Sequence, residues 1–172
     1  MAFKKVIVLS ALLLASPLAV AEHFGLSWGE ELSHFGSVKN VNGQDVVFTF
    51  STPLPHRIIE SYAIYGDKQS LINKVVGTGY SITGDTFGTE GRRQFSLMIS
   101  ALEKQGYVKQ KSDELHGTKI YEKMDAFWQC IKVDGCGEYY WIGVKNSNET
   151  AIISLKGKGK GEGHLEVEIK LN

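Results

Sequence analysis

TEGRRQFSLMISALEKQGY, residues 89–107, is the stretch on which the fold turns. Phe95, Met98, Ile99 and Leu102 recur at intervals of three and four, which places them on one face of a helix. Gly106 falls where a C-terminal cap is expected. Upstream the spacing is that of strands. Val46, Val47, Phe48, Thr49 and Phe50 form a β-rich run after the Asn42-Gly43 turn signal. Pro53 and Pro55 close it. Residues 58–65 (IIESYAIY) and 71–82 (LINKVVGTGYSI) read as two more strands, with Gly77 and Gly79 marking a bulge or close packing in the second. The earlier aromatic segment offers one helical turn at 30–35, and Phe24, Leu26 and Trp28 alternate as a short strand would.

Downstream, Ile120, Met124, Phe127 and Ile131 repeat the helical interval, which predicts a second helix over about 118–130. Three strand-like segments follow at 139–144, 151–155 and 165–171. In the last, Leu165, Val167, Ile169 and Leu171 alternate with Glu166, Glu168 and Lys170, the pattern of a sheet with one wet face. The segment KGKGKGEG, 156–163, reads as a flexible hairpin loop between the final two strands. The expected class is α+β: an antiparallel sheet of about five to six strands with two helices packed on one face.

The N-terminus carries Lys4 and Lys5, an apolar run over 6–20, and the small-x-small triplet Ala19-Val20-Ala21. That is the pattern of a cleavable secretory signal, and the run is shorter than the roughly 20 residues needed to span a bilayer. The expected organisation is a signal peptide, 1–21, and one domain, 22–172. Cleavage after Ala21 removes two lysines and no acids. The 19 basic residues become 17 against 19 acidic ones over the remaining 151 of 172 residues, a formal charge of −2. That balance supplies no electrostatic reason to expect nucleic acid or an anionic membrane as partner. The expected location is periplasmic or secreted.

The only two cysteines, Cys130 and Cys136, lie in WQCIKVDGCGEYYW, 128–141. In an oxidising compartment such a pair forms a disulfide. The five histidines are scattered singly and there is no Cys-x-x-Cys, so neither a metal nor any other cofactor is expected. The glycine-lysine segment lacks phosphate-loop spacing, and Gly77-Thr78-Gly79 lacks the third glycine of a dinucleotide site. Ser51 and His56 are near each other without a nucleophile elbow, and the acid pairs at 30/31, 113/114 and 134/138 are what any surface offers.

The rings around the cysteine loop divide by strand alternation: Tyr139 and Trp141 face one way and Tyr140 the other. Trp128 and Trp141 read as core, whereas Tyr140, with Asp134 and Glu138 beside it, reads as an exposed anchor for binding. The plain alternative is a loop that only turns a helix into a strand. In general class the chain resembles small exported α+β proteins, many of which act by binding. The resemblance implies a non-enzymatic inhibitor or immunity-type protein whose partner is another protein, such as an envelope hydrolase or a toxin. A small envelope hydrolase working through carboxylates, and a structural or assembly subunit of an envelope complex, are the other readings.

Overall fold

The computed structural model describes residues 23–115, 117 and 126–172. The expected signal peptide and residue 22 lie outside them, as do residues 118–125 of the expected second helix. The architecture is α+β, but the antiparallel sheet has eight strands where the sequence predicts five or six. The strands are β1 (Lys39–Val41), β2 (Gln44–Thr49), β3 (Ile59–Gly66), β4 (Ile72–Gly79), β5 (Val108–Leu115), β6 (Glu138–Lys145), β7 (Glu149–Gly159) and β8 (Glu162–Leu171). Their spatial order is β1-β2-β3-β4-β8-β7-β6-β5, two four-stranded meanders joined where β4 meets β8. Helix α1 (Thr89–Lys104) connects the meanders, and the short α2 (Phe127–Lys132) precedes β6.

The two additional strands are the sheet's edges. β1 has three residues, and every residue of β5 is exposed, so neither carries an alternating apolar signal. Residues 156–163 differ from the flexible loop that the sequence predicts. β7 runs on to Gly159 and β8 starts at Glu162, so most of the segment is paired strand. The N-terminal alternation of Phe24, Leu26 and Trp28 is not a strand either; His23–Gly25 and Leu32–Phe35 are 3-10 turns.

One face of the sheet is covered. Val47, Ile64, Val75, Ile169, Ile153 and Trp141 point there with the apolar face of α1, including Phe95, Met98 and Leu102. Trp128 is the keystone. Its side chain is fully buried, and its indole Nε1 donates to Asp85 Oδ2 at 3.3 Å, a carboxylate that also accepts from the Gly91 amide at 3.1 Å. A Cβ at Gly163 would stand 2.1 Å from this ring and one at Gly91 2.4 Å, so both glycines are required by close approach. At Gly157 a Cβ would come within 2.2 Å of the Trp128 carbonyl oxygen. The glycine-rich strand ends therefore form the seat of a tryptophan, and reciprocal amide bonds between Gly163 and Ile82 hold them (2.8 and 3.1 Å).

Candidate functional site

The residues singled out from the sequence meet at the loop between α2 and β6. Cys130 lies inside α2, and the Val133 amide donates to the Cys130 carbonyl at 3.0 Å as the helix ends. The Cys136 amide then bonds the Val133 carbonyl at 3.1 Å, with Gly135 in the left-handed region at φ 75°. This return brings the two cysteine Cα atoms to 5.1 Å, and the disulfide is formed. Gly137 is dictated by the crosslink. A Cβ there would lie 2.8 Å from the Cys130 sulfur and 2.8 Å from the Leu115 carbonyl oxygen.

The loop and the open face of β6 and β7 enclose a cavity of about 250 Å³. Asp134, Glu138 and Tyr140 all line it, together with Ser154 and Lys156 of β7. Asp134 and Glu138 are exposed, while Tyr140 is half-buried rather than an open anchor. The reason is its neighbours. Tyr140 lies opposite Ser154 on one side and Asp113 on the other, and Lys111 Nζ stands 5.3 Å from its ring centroid. Hydrogen bonding to Tyr140, with Glu138 and Asp113 nearby, holds the Lys111 ammonium above its ordinary pKa. Tyr139 turns the other way into the core, edge-on to Phe127 at 5.1 Å and Phe95 at 5.9 Å. Trp128 and Trp141 are core, as their spacing suggests.

A buried polar cluster at the opposite end of β6 and β7 was not legible in advance. His23 Nε2 lies 2.7 Å from Glu149 Oε2, and the Tyr107 hydroxyl donates to the same oxygen at 2.9 Å. Trp28 packs its ring 4.3 Å from that of His23. Burial alone would raise the Glu149 carboxyl, but the bonds from His23 and Tyr107, with the His23 charge and Trp28 acting the same way, outweigh it and leave the group below its ordinary pKa. His23 and Glu149 are 126 residues apart, so no local motif announces the pair. Its geometry ties the N-terminal turn to the start of β7.

A third feature lies on the uncovered face. Phe48 and Phe50 are 58% and 82% exposed, and they rim a groove of about 310 Å³ floored by Ser61, Ala63 and Thr78. Among the described residues, no group of three or more His, Cys, Asp or Glu side chains converges closely enough to hold a metal ion. None of the described helices is long and apolar enough to cross a membrane. Fold and site thus define an α+β protein with one disulfide-braced loop over a small polar cavity. No family model, curated protein or solved structure matches the chain.

Proposed function

We propose that the chain is an exported binding protein that engages another protein, as an inhibitor or immunity-type protein does, through the disulfide-braced loop. The observation that carries this reading is the convergence of Asp134, Glu138 and Tyr140 on one cavity beside the Cys130–Cys136 bridge. A crosslinked loop has little conformational freedom left to lose, and that entropy is a main cost of association. Exposed carboxylates at its rim favour a cationic partner by speeding and orienting encounter. Export after cleavage at Ala21 belongs to the same reading, since a formed disulfide suits an oxidising compartment.

The test is quantitative binding to a partner recovered in fixed stoichiometry from envelope extract. Asp134→Ala combined with Glu138→Ala, and Tyr140→Ala separately, should each weaken it at least tenfold with thermal stability kept. Unchanged affinity in both variants removes the loop from the recognition surface. A hydrolytic activity lost on changing one of these acids would replace the reading with an enzymatic one.

A further inference from the structure

The covered face of the sheet accounts for the core, but the other face carries its own order. Strand register aligns Tyr140 with Ser154, Ser154 with Glu166, Glu166 with Thr78, and Thr78 with Ser61. These five residues form one straight row across β6, β7, β8, β4 and β3, all half-buried and all bearing a hydroxyl or carboxylate. At the usual strand spacing of about 4.8 Å the row is about 19 Å long. The two open-face cavities lie at its ends: Tyr140 and Ser154 line one, and Thr78 and Ser61 floor the other. Aromatic rings stand at both ends, Tyr140 at the first and Phe48 with Phe50 at the second.

The next row of the face is apolar on most strands: Ile142 pairs with Ile152, Val76 with Ala63, and Ala63 with Phe48. The hydroxyl row therefore has an apolar border on both sides of Glu168, which sits between Ile152 and Val76 and pairs with Lys170 at 2.9 Å. Its charge is close to balanced. Lys156 Nζ lies 3.6 Å from the Glu166 carboxylate. Beyond it, burial and then the nearby Lys158 depress the pKa of His164, favouring the neutral imidazole.

We infer that this row is a binding site for a neutral, extended glycan laid across the strands from β6 to β3. A sugar chain presents hydroxyls at its edges and flat C–H faces that pack on aromatic rings, which matches a line of hydroxyl and carboxylate groups bordered by apolar side chains on most strands, with the half-buried Tyr140 at one end and the exposed Phe48 and Phe50 at the other. An extended peptide fits less well. The backbone groups of these inner strands are already paired, so a peptide crossing the face has no ladder to join. An acyl chain would leave the row's hydroxyls and Glu166 without partners. The site is separate from the protein-binding reading above, with which it shares only the Tyr140–Ser154 end.

Titration of the isotope-labelled protein with linear β-linked hexasaccharides of glucose and of N-acetylglucosamine, followed by amide NMR, tests the inference. Saturable shifts should run along Ser154, Glu166, Thr78 and Ser61 with at least one sugar, and affinity should rise from disaccharide to hexasaccharide. Phe48→Ala with Phe50→Ala, both rings being exposed, should weaken binding at least tenfold with the spectrum otherwise retained. Thr78→Trp should block the row from its middle and provides a second variant independent of the rings. The sugar titration needs no protein partner, so a failed protein-binding reading and a failed glycan site are told apart. No saturable shift with either hexasaccharide overturns the inference, as does a response along this row to an extended hexapeptide alone.

Discussion

Two glycine-rich stretches anchor the same short helix by different means. The loop after Cys130 holds α2 covalently, through the bridge to Cys136. The hairpin at 156–163 holds it by shape, with Gly157 and Gly163 leaving room for the backbone and ring of Trp128. One anchor is announced by two cysteines. The other resembles low-complexity linker until the tryptophan is in place. Glycine weakens a strand on its own, so its presence in a paired hairpin points to a close approach from elsewhere in the fold.

If shape is the stronger anchor, Trp128→Ala should be the most damaging single change. Removing a fully buried tryptophan costs about 3–5 kcal/mol, seen as a lowered denaturation midpoint. Gly163→Ala should cost about 1–3 kcal/mol by overpacking, because its new Cβ meets the Trp128 ring. The decisive measurement is the double variant. With the ring gone, Gly163→Ala should become nearly neutral, giving a coupling of at least about 1 kcal/mol. Additive losses would mean that the glycine serves its strand and not the tryptophan.

The covalent anchor should matter less. A loop with a sequence separation of six restricts the unfolded chain only modestly, so Cys130→Ser with Cys136→Ser should lose under about 3 kcal/mol. Alkylation without reductant should find neither thiol free. Two blocked thiols would remove the covalent anchor altogether, and a loss exceeding that of Trp128→Ala would reverse the ranking.

How much was legible follows the same division. Six strands and α1 declare themselves because each has a buried face that imposes a period of two or of three and four. β5, KQKSDE between Val108 and Leu115, is exposed throughout, so nothing selects apolar residues along it. Asp134, Glu138 and Tyr140 stand out as a group in the sequence because they are close along the chain. Ser154 and Lys156 join them only through the pairing of β6 with β7, and the hydroxyl row exists only through the register of five strands.

The polar cluster at the other end of β6 and β7 sharpens the contrast with a pH dependence. Glu149 titrates below its ordinary value of 4.5 in the fold, so it binds a proton more readily in the unfolded chain. Its contribution is full above that value and is lost as pH falls through the folded pKa. Stability measured by denaturant should therefore drop between about pH 5.5 and 3.5, about one unit either side of that ordinary value, by more in the parent than in Glu149→Gln. Equal slopes would show that the His23 and Tyr107 bonds do not favour the carboxylate.

The smallest effect is expected where the hairpin turns its other face to water. Lys158 and Lys160 are exposed, and Lys158 donates to the exposed Ser81 hydroxyl at 3.2 Å. Exposed polar contacts of this kind contribute little, so Lys158→Ser with Lys160→Ser should leave stability within about 0.5 kcal/mol. Gly157 and Gly163 would then carry the structural role and the lysines none of it. A larger loss would mean that the Lys158–Ser81 contact helps fix the hairpin against the end of β4, and that shape complementarity with Trp128 does not anchor it alone. Stability kept with partner affinity lost at low salt would instead assign the lysines to a contact surface, because attraction between exposed charges is what added salt screens.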